Sequence, residues 1–458
     1  MKYKIQRVLH SSGERMVLLC DLKTGVPLFY PTLYSTTNSR NIKGGAFSTI
    51  KDKLRAIKKL LEISDHLNID LEGRLAKGDW LLSCEIELIC DWLKVKKIVF
   101  DNTQVRGSSE KITNNIVNLI ARKKENVRVG VKVDSPDTET SGGYSNITRV
   151  ANYIDWLAKR LFKSGDGGEM KAWFYEKRGF KPENKQEELA RRGIFDSLTE
   201  DQELNMLDTV RPNCSQNPWK EHDSKVRNHL IVNLLLEIGC RRGESLNIKT
   251  TDLVPIEYLE EPSDFTRIET TAKTLSGMAI NIWRDPDNVD DPRIDQPRVK
   301  TLSRTIEIEP QLAEMIENYV INHRANVPHA NKCPYLFISH QIGCKRAAPM
   351  SLSAIDKVFI QLTNKLGFNV KPHGIRRTWN DRFSEENEAA IQNKKISYDE
   401  IEDARSWLQG WKAGSGSAKF YTRRSQYNKA IRKGLELQRS RVKKQNQIVG
   451  SYDDDIAM

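Results

Sequence analysis

Four segments in the second half of the chain carry side chains suited to one reaction, transfer at a phosphodiester with neither metal nor water. They are IGCRRGESL, RVKTLSRTIEI, KPHGIRRTW and LQGWKAGSGSAKFY, and within them stand Arg241, Lys300, His373, Arg376 and Tyr421. A guanidinium stays charged and forks onto two phosphate oxygens. A lysine beside other cations gives up its proton more readily and serves as general acid to a departing oxygen. A phenol, with a pKa of about 10, attacks once its proton is taken or its anion is steadied by positive charge.

The spacing of neighbours sharpens each role. Gly239 interrupts the apolar run HLIVNLLLEI, so Arg241 falls at a turn between helices, and Glu244 three residues on is placed to orient it. Arg242 competes for the same role. Lys300 opens a turn into the strand RTIEI, and Lys273, which shares the letters KTLS, is its alternative. His373 and Arg376 stand one helical turn apart at a helix start marked by Pro372 and Gly374, where backbone N–H groups favour an anion. His373 suits either accepting the tyrosine proton or donating to a phosphate oxygen. Trp411 adds one N–H donor. After the GSGS connector comes Tyr421, with Arg423 and Arg424 beside it; Tyr427 is the alternative nucleophile. Taken singly, each segment is also what a helix junction, a solvated lysine, a capping histidine or a core aromatic produces. Their order and joint chemistry carry the reading.

These side chains need elements to hold them. Residues 1–40 read as a β-rich N-terminal module, either free-standing or a strand pair docked on the next domain, with KYKIQRVL and RMVLLCDL as strands. Residues 41–190 read as a helical domain. Ile50, Leu54, Ile57, Leu60 and Leu61 fall at helical spacing, and WLLSCEIELICDWL, ITNNIVNLIARK and YSNITRVANYIDWLAKRLF repeat the pattern. Residues 191–445 read as a domain of helices around a short β region, with TTAKTLSGMAINIW and RVKTLSRTIEI as strands and RDPDNVDDPRIDQP as a surface loop. Residues 446–458 read as a flexible tail. The fold class is mainly α with a small β region.

Composition narrows the partners. The 458 residues carry a formal charge of +12, and such an excess of Lys and Arg attracts a polyanion. Mean hydropathy is -0.59. No apolar run approaches the ~20 residues a bilayer needs, and the first residues lack the apolar core of a secretory signal. Seven scattered cysteines with no CxxC pair argue against a disulfide framework and for a reducing compartment. Eight histidines without HExxH spacing provide no metal set, so neither metal nor cofactor is expected.

Together the segments resemble the tyrosine recombinase (phage-type integrase) family, over residues ~200–435. That family has an arginine in a TGxRxxEL-like box, a lysine at a β-turn, an HxxR box, and an LGH/W segment before a tyrosine. The matches are Arg241 with Glu244, Lys300, His373 with Arg376, Trp411 and Tyr421. There are departures. Ile238 stands where the family has Thr, Arg242 and Gly243 depart from its apolar or small residues, and the gap from Trp411 to Tyr421 is one residue longer. The resemblance implies a clamp on double-stranded DNA made by a helical core-binding domain and a catalytic domain. It implies site-specific integration or recombination through a 3′-phosphotyrosine and a Holliday junction, by a tetramer on synapsed DNA. Accessory DNA-bending or directionality proteins, a mobile genetic element as the source, a place at the cytoplasmic nucleoid and no membrane partner go with it. A type IB topoisomerase, a catalytically silent DNA-binding relative and a helical protein with a basic surface are the alternatives.

Overall fold

The computed structural model describes the chain except for Met1 and residues 42–46, 96–140, 163–167, 181–184, 256–276, 285–287, 341–342, 344, 394–395, 413, 415–420 and 457–458. ITNNIVNLIARK and Lys273 therefore lie outside the described residues. The fold is mainly α with a small β region, divided into a unit of residues 1–183 and a unit of residues 184–458.

In the first unit, β1 (Tyr3–Leu9) and β2 (Arg15–Asp21) form an antiparallel hairpin. Alternation along β2 turns Val17 and Leu19 inward. They join one core with Ile50, Leu54, Ile57, Leu60 and Ile63 of α1 (Phe47–His66). Each such side chain, fully buried, contributes about 1.5–3 kcal/mol. The Tyr3 hydroxyl donates to Asp65 at 2.9 Å and pins the hairpin to α1. The apolar face of the hairpin is covered by the helices that follow, which is the docked strand pair of the two arrangements the sequence left open. The same core holds α2 (Leu71–Ala76), α3 (Ser83–Lys94), α4 (Ser141–Leu161) and α5 (Gly168–Arg178).

The second unit is built on α8 (His222–Ile238), whose Leu230, Ile231, Leu234 and Leu235 are all but inaccessible. Before it come α6 (Lys185–Arg191) and α7 (Glu200–Val210). After it come the short α9 (Arg242–Ser245) and an antiparallel sheet in the order β3 (Leu253–Pro255), β4 (Met278–Ile282), β5 (Arg304–Ile308). Then follow α10 (Pro310–Asn318), α11 (Leu352–Leu366), α12 (Pro372–Glu386) and α13 (Tyr398–Gln409). The loop between β4 and β5 is polar in sequence, yet it is not simply a surface loop. Asp291 and Arg293 within it form a buried ion pair, and Arg293 donates to the carbonyls of Leu246 and Met350. The last helix, α14 (Arg423–Ile456), runs on through the stretch expected to be a flexible tail. No described helix is long and apolar enough to cross a membrane.

Candidate active site

The site begins where α8 ends. Gly239 adopts φ +59°, which only glycine takes without strain, and a Cβ there would come within 2.7 Å of Trp379. The chain turns sharply and brings Arg241 to the N-cap of α9. Both the backbone N–H and the guanidinium of Arg241 donate to Glu244, at 3.1 and 3.2 Å. Arg242 points elsewhere, onto Asp356.

Glu244, 1 % exposed, organises the centre. It accepts from Arg304 at 2.7 Å and from the Thr301 hydroxyl at 2.8 Å, and it lies 4.0 Å from Arg376. Burial alone would raise its pKa, but Arg304, Arg376 and Arg241 outweigh that and hold it down at about 2. Three guanidiniums thus face one carboxylate, leaving a surplus of positive charge.

Arg376 is also 1 % exposed. It reaches in from the second turn of α12 and donates to the carbonyls of Gly239 at 2.6 Å and Gln409 at 3.3 Å. Its Nε has no hydrogen-bond partner among the described residues. Burial, and next the charge of Arg241, lower its pKa to about 10, against the pull of Glu244, so it remains charged at neutral pH. Trp411 follows Gly410, the left-handed end of α13, and is 6 % exposed, with its indole Nε1 likewise unpartnered among the described residues. A buried donor without an acceptor costs about 1–3 kcal/mol, so a pair of them beside surplus positive charge is a pocket suited to an anion.

Tyr421 closes this pocket. Its ring stacks on Trp411 with centroids 5.3 Å apart, meets the His373 ring edge-on at 5.3 Å, and lies 5.2 Å from the Arg376 guanidinium carbon. Tyr427 instead packs against Phe195 at 5.4 Å. Packing around the His373 ring, then the charges of Arg377, Arg376 and Arg241, push its pKa down to about 4. It is therefore neutral at pH 7.

Arg241, Glu244, His373, Arg376, Trp411 and Tyr421 come together through these contacts; Lys300 stands at their edge. Its neighbour Thr301 bonds Glu244, and Leu302 donates its N–H to the Gly410 carbonyl at 2.9 Å, so the strand entrance runs alongside the pocket. Lys300 itself is exposed, and no hydrogen bond or ion pair joins it to the cluster among the described residues. Sequence reasoning missed Arg304, which is buried and also donates to the Leu408 carbonyl at 2.7 Å. A signal was present: Arg304 falls in phase with the inward Ile306 and Ile308, and an arginine in that register needs buried acceptors.

No family model and no curated protein matches the chain. Among solved structures it is similar to tyrosine recombinases and integrases. The XerA recombinase is 15% identical, with 86% of this chain and 91% of that one covered and a TM-score of 0.30. The Tn1549 transposon integrase in complex with circular intermediate DNA is 12% identical, with 75% and 95% covered and a TM-score of 0.34. The lambda integrase dimer bound to a COC′ core site is 12% identical, with 91% and 94% covered and a TM-score of 0.31. Likenesses this distant carry no weight about chemistry, which rests on the side chains described above.

Proposed function

We propose that this chain is a tyrosine recombinase that cuts and rejoins DNA strands through a 3′-phosphotyrosine. The carrying observation is the pocket around Tyr421, where the Nε of Arg376 and Nε1 of Trp411, unpartnered among the described residues, sit beside surplus positive charge. A phosphodiester brings one negative charge and free oxygens, which answers both.

The Tyr421 oxygen attacks the scissile phosphorus and its proton passes to His373. A bond from phosphorus to the tyrosine oxygen forms as the bond to the 5′ oxygen breaks. Arg241, Arg376 and Trp411 stabilise the non-bridging oxygens as charge builds, a contribution of several kcal/mol in preorganised sites. Lys300, on its exposed approach, protonates the departing 5′ oxygen. The 5′ hydroxyl of a partner strand then reverses the step. One phosphoester replaces another, so the balance needs no ATP, metal or water.

Double-stranded DNA is the partner in this reading, with the helical first unit as the core-binding half of a clamp. Four protomers on synapsed DNA would pass through a Holliday junction. The exposed Ile431, Leu435 and Val442 of α14 give each protomer an apolar stripe for a neighbour. The test is a suicide duplex that traps cleaved product. The wild type should form a covalent adduct, and Tyr421→Phe should bind the same DNA and form none. An adduct formed by Tyr421→Phe overturns the assignment.

A further inference from the structure

The nucleophile must be held as well as surrounded, and the structure contains an unassigned arrangement that does so. Residues 195–198 lie between α12 and the start of α14 and are gripped from both sides. From α12, Arg377 donates to the Asp196 carboxylate at 2.5 Å, and the Thr378 hydroxyl accepts the Leu198 N–H at 2.8 Å. The Asp196 carbonyl sits so close to Gly374 that a Cβ there would meet it at 2.5 Å. From α14, Arg424 Nε donates to the Ser197 hydroxyl at 3.0 Å and its Nη2 to the Ser197 carbonyl. The same guanidinium covers the Phe195 ring at 5.3 Å.

Asp381 joins the two grips. It projects from α12, is 4 % exposed, accepts the Ser425 N–H at 3.2 Å and lines the same small cavity as Ser197. Ser425 lies in the first turn of α14, four residues beyond Tyr421, and is itself buried. A small cavity lined by Phe195, Ser197, Arg377, Asp381, Tyr421 and Arg424 separates this arrangement from the phenol. Tyr421 and Asp381 line the same cavity, and Asp381 holds the turn four residues beyond the phenol.

We propose that residues 195–198 form a clasp that sets the position of Tyr421, with Asp381 as its positioning residue. The claim rests on the reading of Tyr421 as nucleophile. In-line attack is geometrically strict, and a displacement of about 1 Å costs on the order of 100-fold in rate. The clasp therefore acts on the chemical step and leaves DNA affinity alone.

The test uses the full chain and three readouts: hydrogen exchange in the first turn of α14, single-turnover adduct formation at saturating suicide duplex, and the Kd for that duplex. Asp381→Ala should speed exchange at Ser425 and its neighbours by at least about tenfold and slow adduct formation by roughly 10- to 100-fold, with Kd changed less than about threefold. Asp381→Asn, which keeps an acceptor for the Ser425 N–H, should restore both to within about threefold of wild type. Should Asp381→Ala fail to fold, Arg424→Gln opens the clasp from its half-buried side and should give the same split. Unchanged exchange, an unchanged adduct rate, or affinity lost in step with rate each overturns the clasp. A wild type that forms no adduct overturns the nucleophile assignment instead, and the exchange pattern then still decides whether Asp381 holds the turn.

Discussion

Arg376 is held by backbone carbonyls and by the field of Glu244, and one of its donors is unused among the described residues. A group placed so adds little to ground-state binding and most where charge develops. Arg376→Ala should therefore slow adduct formation by about 10²–10³-fold while DNA affinity changes far less. Equal losses in single-turnover rate and Kd would contradict the role. His373 makes a separate prediction. The unfolded ring takes its proton at about 6.5, whereas the folded ring holds out to about 4. The fold therefore loses stability as pH falls through that window, since only the unfolded chain gains the proton. In NMR titration of the free protein, His373 should titrate well below the ordinary range, and Arg377→Gln, which removes the largest neighbouring charge, should raise its midpoint.

At the scale of elements, α12 carries both chemistry and its support: His373 on the first turn, Arg376 on the second and Asp381 on the third. Burial raises the Asp381 pKa to about 6, opposed by the Ser197 and Ser425 hydrogen bonds and by Arg424. A carboxyl raised in the folded state weakens the fold at neutral pH. That cost is relieved as pH falls through about 6 toward the unfolded value of about 3.9, because the folded chain then binds the extra proton. Asp381→Asn should accordingly raise Tm at pH 7.5, with the gain shrinking by pH 4.5 in calorimetric scans. A lower Tm at pH 7.5 would contradict it. This element also shows what the sequence made legible. His373 and Arg376, one turn apart behind Pro372, could be read locally, as could the turn at Gly239 that exposes Arg241. Nothing local announced that Asp381 meets Ser197, 184 residues earlier in the chain, or that Arg304 would be buried against Glu244. Those pairings arise from tertiary packing, which spacing does not encode. The hairpin was legible as strands, but its docking depends on an apolar face matched by α1, and the helical run of α14 past residue 446 overrides a polar composition suggestive of a loose tail.

For the whole molecule, a formal charge of +12 on 458 residues sets the partner's sign and leaves its sequence open. Phosphate contacts release counterions, so affinity for a duplex should fall by about 10³-fold or more between 50 and 200 mM salt if six or more phosphates are engaged. A salt-insensitive interaction would favour a basic protein with no DNA-binding role. Strand exchange between two duplexes separates a recombinase from an enzyme that only nicks and relaxes, since both can share a tyrosine nucleophile. The most direct measurement is peptide mapping of the covalent product trapped on a suicide duplex. The account predicts a single modified residue, Tyr421, bearing a 3′-phosphate-linked nucleotide. Modification at Tyr427, or recovery of cleaved DNA with no protein attached, would contradict it.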